Sequence, residues 1–534
     1  MLYATQSNGP SVGGDSSEAS QLVQDAAASK DDRGMRALTG VPTLTLALAL
    51  AETTSAAVRV LDRTTLGPDP QTVNRLNGES FQQDALVTFN DYQYAVFWVA
   101  DTANASVRHP SMSRRALSGK KPSAGNSSPS GNWEMFTFTD YNQTEDDGHD
   151  IISLGIAPAD GTIHISFDHH DNPLKYRVSK AGAAANPTQA TWSPQLFGNT
   201  LDYLPGLESL NKTEYFGSVT YPRFLSVPSS ANSKRDVSGV DFLMELRIGR
   251  SGLGDDWLYA YTPGKGWAVV GKYLEGVSNN AYINGLDFDS KGNLITTWTY
   301  RDYVNDTGQD VAVQAGPNGP ENNHDMDFAY SPDLGQMWLN NWGQEIASMK
   351  EQSPILPVSA GITMFGIPKY GGILNQEAQA VDLEGRVHVL NRENTTGIEQ
   401  WYHYWRDTNT YWTRLPLPLD LPSINNITNS PTVIGKRGKL AVLPSTGSDI
   451  HSSGPSTTLL ALLPSNAPNS TALSILASTA AGRFRDWRVV WEVRSGCAAE
   501  VLFDRYRLQS QDGDGVLSLF VVNGTEVQVV DLQF

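Results

Sequence analysis

The sequence predicts an all-β protein, a β-propeller of seven blades with four antiparallel strands in each. Three observations carry that prediction. The 534 residues include 47 glycines, 29 prolines, 13 tryptophans and 20 tyrosines. Short β-branched and aromatic runs alternate with turn residues, and long amphipathic helices are not evident. A tight turn entering a strand recurs as Asp160-Gly161-Thr162-Ile163-His164-Ile165, Ser290-Lys291-Gly292-Asn293-Leu294-Ile295 and Leu383-Glu384-Gly385-Arg386-Val387-His388-Val389, at blade-sized intervals. Finally, Ser331-Pro332-Asp333-Leu334-Gly335-Gln336-Met337-Trp338 fits the pattern Ser-X-Asp-X-Gly-X-X-Trp, a hairpin whose Asp bonds backbone amides while Trp packs between strands.

Taken in order, residues 1–34 are polar and of low complexity, with nothing a core could use, and are set apart as a non-structural upstream segment. Residues 35–57 begin at Met35 with Arg36, run apolar to Ala51 and end in small residues, the layout of a secretory signal peptide. The apolar run is shorter than the ~20 residues that span a bilayer, so no membrane association is expected. Residues 58–534 remain for the propeller, with the C-terminal run 527–534 expected to pair near residues 58–61 and close the ring. Residues 103–132, with Arg108, Arg114, Arg115, Lys120 and Lys121, read as a surface loop, and residues 228–238 and 307–322 as similar insertions.

A net charge of −18 argues against a nucleic-acid partner, since no basic face is available to displace counterions from phosphates. The single cysteine, Cys497, precludes an intrachain disulfide and a cysteine-rich zinc site. Glycosylation sequons start at Asn104, Asn126, Asn142, Asn211, Asn305, Asn394, Asn426, Asn469 and Asn523, a density that suits a secreted eukaryotic glycoprotein.

The stretch with most chemistry is 146–174. Strands at 151–156 and 162–167, joined through Ala159-Asp160-Gly161, form a hairpin that brings His149 back towards His169 and His170. Paired imidazoles beside one groove suit proton transfer; the alternative is that they cap strand ends or form an incidental metal site. Aspartates 146, 147, 150 and 168 flank them, and if near in space would favour the protonated ring.

From His149 to Asp407 the chain resembles the Asp-box (BNR-repeat) propeller polysaccharide lyases, which include ulvan lyases and L-rhamnose-α-1,4-D-glucuronate lyases. The likeness rests on the strings DDGHD, HHDNPLKYR, TYPRF, LRIGRSGLGDDW, GLDFDSKGNL, NHDMDFAYSPDLGQMW, LNQEAQAVDLEGRVHV and WYHYWRD, in that order. The resemblance implies β-elimination at a uronic acid with no cofactor required. It implies His149, His170, Tyr221 and Arg247 as catalytic residues, with Arg250 as the fallback for Arg247, and Arg223, Asn172, His324 and Gln376 as substrate contacts. Of the adjacent histidines, which face opposite ways on a strand, His170 is taken as the partner of His149. No metal-ligand set is identified, and a structural calcium is left open.

The implied activity is that of a secreted, monomeric enzyme cleaving a rhamnose–glucuronate linkage in an acidic polysaccharide. The sequons and the leader favour the rhamnose caps of a gum arabic-like arabinogalactan over ulvan. The alternatives are a sialidase-like glycoside hydrolase, for which neither an arginine triad nor a carboxylate pair stands out, and a non-catalytic glycan-binding propeller.

Overall fold

The computed structural model describes residues 58–79, 81, 84–117, 131–232, 239–249, 254–276, 280–301, 322–427, 430–432, 434–443, 457–465, 467, 469–509 and 515–534. The upstream segment 1–34, the expected signal peptide 35–57 and Arg250 lie outside them.

Seven antiparallel sheets follow one another around a ring, as the sequence predicted. Blade 1 holds Leu86–Phe89, Tyr92–Ala100, Arg108–Ala116 and Glu134–Thr137; blade 2 holds Ile152–Ile156, Ile163–Phe167 and Tyr176–Val178. Blade 3 comprises Val219–Ser226, Phe242–Ile248, Asp255–Thr262 and Gly266–Leu274, with the short His170–Asn172 added to its inner strand. Blade 4 comprises Asn280–Phe288, Leu294–Arg301, Asn323–Ser331 and Met337–Leu339, extended by Glu345–Ser348 and Thr363–Phe365. Blade 5 holds Ala378–Val381, Val387–Glu393, Gln400–Arg406 and Trp412–Pro416, and blade 6 holds Lys439–Leu443, Thr458–Pro464, Leu473–Thr479 and Arg488–Val493. Blade 7 is built from both ends of the propeller: Leu502–Phe503, Val516–Asn523 and Glu526–Gln533 are completed by Arg59–Pro68. The closing pairs Arg59 with Gln533 and Val60 with Leu532 are the expected ones. They remove the free edges an open sheet would expose. Four strands is the common blade, while blades 2, 3 and 4, with three, five and six, depart from it.

The recurring turns have the predicted chemistry. Met337 N donates to Asp333 Oδ1 at 2.8 Å, and Ser331 Oγ accepts from Gly335 N at 2.8 Å. Trp338 is fully buried and stacks on Tyr273 of blade 3 with centroids 4.8 Å apart, so the motif fastens one blade to the next. Asp289 and Asp382 repeat the device, each accepting two amides of its own turn. The blade interfaces are apolar. Leu243, Leu258, Leu286, Trp298 and Trp338 belong to one such layer between blades 3 and 4, and burial of this kind stabilises by about 25 cal/mol per Å² of apolar surface.

One expectation is corrected. Residues 108–116 are not surface loop but a buried strand of blade 1. Arg115 is held by Asp531 of blade 7 at 2.8 Å, Arg114 by Glu134 at 3.0 Å and Arg108 by Gln143 at 2.7 Å. Composition alone made the segment look exposed; partners from other strands make burial of its cations tolerable.

Candidate active site

Each blade's inner strand begins at the same face, so the segments leading into inner strands and the turns after second strands gather there. Blade 2 contributes its histidines in this way. Ile152 pairs with Phe167 at the open end of the hairpin, His149 lies just before that end and His170 just after it. The rings of His149 and His170 stack with centroids 3.9 Å apart and planes 17° apart. Between them Asp147 accepts from both: His149 Nδ1 donates to one carboxylate oxygen at 2.6 Å and His170 Nδ1 to the other at 2.6 Å. Phe81 stacks on the far face of His149 at 5.0 Å. His169 points away into the core, where its Nε2 accepts from Lys175 N at 2.8 Å.

Blade 3 supplies the floor. Its inner strand carries a β-bulge between Thr220, paired with Arg247, and Arg223, paired with Glu245. Tyr221 occupies the bulge with φ +59°, a left-handed conformation that costs a bulky residue about 1–3 kcal/mol and tends to mark a functional position. Its ring lies 5.9 Å from His149, 5.7 Å from Phe81 and 6.3 Å from Tyr282. Arg247 lies over that ring at 5.0 Å. One Arg247 amino group donates to Asp171 Oδ1 at 2.9 Å and to Thr220 Oγ1 at 3.0 Å, while its Nε finds no hydrogen-bond partner among the described residues. Gly254 leaves room for the guanidinium stem, since a Cβ there would stand 2.5 Å from Arg247 Cδ.

The electrostatics divide the two imidazoles. Burial lowers His149 below the ordinary 6.5, and neighbouring His170 and Arg247 add to the effect against the pull of Asp147. Burial also acts to lower His170, but its hydrogen bond to Asp147 and the charges of Asp147 and Asp171 prevail and raise it. Hydrogen bonds from both rings hold the Asp147 carboxyl far below the usual range. Stacked imidazoles resist a shared double charge, so the arrangement favours one neutral and one cationic ring. Burial raises the Tyr221 phenol above its ordinary value, and nearby Tyr282 adds to this against the pull of Arg247, Arg437 and Arg301.

The other expected contacts are spread more widely. Asn172 Oδ1 accepts from His170 N at 2.9 Å and so steadies the histidine pair. Arg223 is not brought to the histidines: it pairs with buried Glu245 at 3.3 Å and lines an internal cavity with Asp84, Asp287 and Lys439. His324 Nδ1 donates to Asp325 Oδ2 at 2.9 Å on blade 4. Gln376 is buried at the entry to blade 5 with φ +53°. Asp171 and Asp325 share that left-handed conformation.

Sequence reasoning did not assign Asp147 its bridging position, nor Asp171, Phe81 and Tyr282 their places. Asp147, two residues before His149, is the one the local sequence pointed to.

The ligand atoms of Asp147, His149 and His170 lie within 4.8 Å of one another. Calcium prefers six to eight oxygen ligands, which this nitrogen-rich trio does not offer. Both Nδ1 atoms already donate to Asp147, which makes the trio a hydrogen-bonded unit as it stands.

A family model described as BNR repeat-containing family member matches residues 92–418. No curated protein sequence matches the chain. Among solved structures, the polysaccharide lyase Uly1 has the same fold, with a TM-score of 0.59 at 15% identity over 87% of this chain and 92% of that one. The α-L-arabinofuranosidase Arb93A from Fusarium graminearum, with an iminosugar inhibitor, matches with a TM-score of 0.37 at 12% identity over 71% and 91%. NanB matches with a TM-score of 0.34 at 9% identity over 87% and 70%.

Proposed function

The chain belongs to the BNR repeat-containing family, and from that premise we propose that it is a polysaccharide lyase cleaving a rhamnose–glucuronate linkage by β-elimination at the uronic acid. The observation that carries this reading is the convergence of the stacked His149–His170 pair, Tyr221 and Arg247 in one contiguous cluster of side chains.

Elimination needs the proton at C5 of the uronate removed while its carboxylate is stabilised as charge moves onto it. Arg247 meets the second need: a guanidinium pre-oriented by Asp171 and Thr220 pairs a carboxylate better than an ammonium would. His149, held neutral and fixed by Asp147 through Nδ1, presents Nε2 as the base that takes the C5 proton. His170, whose bond to Asp147 and the charges of Asp147 and Asp171 favour the cationic ring, faces the enolate-like intermediate. Tyr221 keeps its proton and donates it to the glycosidic oxygen as the C4–O bond breaks, leaving a C4–C5 double bond. Side-chain exposure falls from 24% and 30% at His149 and His170 to 2% at Arg247, so the sugar would enter from the histidine rim.

The protein acts outside the cell as a glycosylated monomer, and its substrate is a gum arabic-like arabinogalactan or ulvan. Support for the extracellular part comes from the exposure of Asn104, Asn142, Asn211, Asn394, Asn426 and Asn469, all of which begin sequons. The test is to incubate the protein with each polysaccharide and weigh the products. Elimination leaves an unsaturated uronate lighter by one water than the hydrolysis product. Saturated products would establish a hydrolase instead, and binding without products a glycan-binding propeller.

A further inference from the structure

A second cleft opens on the face that carries the histidine pair. The segment leading into Ala378–Val381 and the turn between Val387–Glu393 and Gln400–Arg406 lie side by side there, tied by a hydrogen bond from Asn394 N to Gly371 O at 2.8 Å. Between them is a cleft of about 640 Å³ lined by Pro368, Tyr370, Asn394, Thr395, Tyr402 and Arg414.

Tyr370 stands at the tip of a turn closed by Gly371 N to Pro368 O at 2.9 Å. Its φ is +62° and its side chain is among the exposed large apolar groups, at 73%. A tyrosine in the left-handed region is strained, and this one regains nothing through burial. Gly371 makes the turn possible, since a Cβ there would fall 2.6 Å from Pro368 O. Opposite, the Arg414 guanidinium lies 5.1 Å over Tyr402, donates to Thr395 Oγ1 at 2.6 Å and pairs with the buried carboxylate of Glu393. That carboxylate also accepts from the Tyr404 hydroxyl. The Arg414 side chain is fixed yet 28% exposed. A presented ring, an oriented guanidinium, an amide and a hydroxyl around one cleft make up the chemistry of an acidic-sugar site.

We propose that this cleft is a distal subsite for an anionic sugar, carboxylated or sulfated, of the polysaccharide cleaved at the histidine pair, an inference that rests on the function proposed above. Tyr370 packs against the pyranose face, Arg414 pairs the anion, and Asn394 and Thr395 bond ring hydroxyls. The same segment continues through Leu374, whose N donates to Asn391 Oδ1 at 3.0 Å, to the buried Gln376 that leads into the inner strand of blade 5. A competing occupant is the chain's own glycan, since Asn394-Thr395-Thr396 is a sequon.

The experiment compares the wild type with Tyr370→Ala and Arg414→Lys, produced in a host that does not N-glycosylate, on gum arabic, on ulvan and on a rhamnosyl-glucuronate disaccharide too short to reach the cleft. The expected result for Tyr370→Ala is a KM for polymer raised about 2–10-fold, the size of a lost ring contact, with kcat, disaccharide KM and thermal unfolding unchanged. Equal KM values for polymer in wild type and both variants overturn the subsite. Affinity electrophoresis through the same polymers separates the two proposals. If the wild type turns over neither polymer but is retarded more than Tyr370→Ala, the subsite stands and the lyase reading falls; equal retardation removes the subsite. Should Asn394→Gln made in a glycosylating host bind polymer better than its wild type while Tyr370→Ala has no effect without glycan, the cleft belongs to the glycan and the proposal fails.

Discussion

The rings of His149 and His170 lie face to face, 3.9 Å apart, and one carboxylate, Asp147, bonds to both through separate oxygens. That relationship turns two similar side chains into two different reagents, because the cluster accommodates one added proton far better than two.

A pH profile follows from the opposite shifts. In the proposed elimination His149 must be neutral to act as base, and its value lies below 6.5, so activity should fall on the acid side only as pH drops through that lowered value. His170 must be cationic, and its value lies above 6.5, so activity falls on the alkaline side as pH rises through that raised value. The expected kcat/KM profile is a bell that straddles pH 6.5. A single acid limb with a plateau through the alkaline range would remove His170 from this role.

Replacing Asp147 by Asn tests the bridge. An amide keeps the volume but loses the charge that raises both rings, so the alkaline limb set by His170 and the acid limb set by His149 should both move to lower pH and the whole bell should shift towards acid. The rate at the optimum should fall by roughly 10²-fold, the lower end of what proton-transfer catalysis contributes. An unchanged alkaline limb would show that Asp147 has a purely structural task.

Tyr221 and Arg247 should fail differently. Tyr221→Phe removes the proton donor and should lower kcat by about 10²–10⁴-fold with KM little changed. Arg247→Lys keeps a charge but loses the fork, and a charged hydrogen bond worth about 1.5–3 kcal/mol predicts roughly a 10- to 100-fold loss in kcat/KM. Leaving-group dependence discriminates further: with a leaving sugar that needs no protonation, Tyr221→Phe should recover most of its rate and Arg247→Lys should not.

The residues that were legible in sequence are those whose positions are local. An Asp-Gly turn between two β-rich runs returns the chain on itself, so His149 had to meet the strand end that holds His170. Blade-sized repeats and the paired terminal strands likewise announced the ring. Phe81 against His149 and Tyr282 against Tyr221 cross between blades, and Asp171 meets Arg247 only because the short strand after the hairpin joins the sheet of blade 3; none of this leaves a mark in any one stretch. Arg108, Arg114 and Arg115 were misread for the same reason: a run of cations looks solvated until its partners, some more than 400 residues away in sequence, are in place.

Ring closure offers a stability prediction. Arg115 of blade 1 donates to both oxygens of Asp531 in blade 7, at 2.9 and 2.8 Å, and Arg507 reaches the same carboxylate at 3.1 Å. The Arg115 and Asp531 side chains are almost wholly excluded from water, at 0% and 2%. Asp531→Ala therefore leaves two buried guanidiniums without their common partner, and a broken buried pair of this kind costs about 3–5 kcal/mol. Lys212 and Asp202 form a pair at 2.5 Å whose side chains are 47% and 57% exposed, and Lys212→Ala should cost no more than about 1 kcal/mol. Urea titrations of both variants check the contrast. If closure depends on this latch, Asp531→Ala should lower the midpoint sharply, whereas equal midpoints would place the strength of the seam in the apolar contacts between the terminal strands.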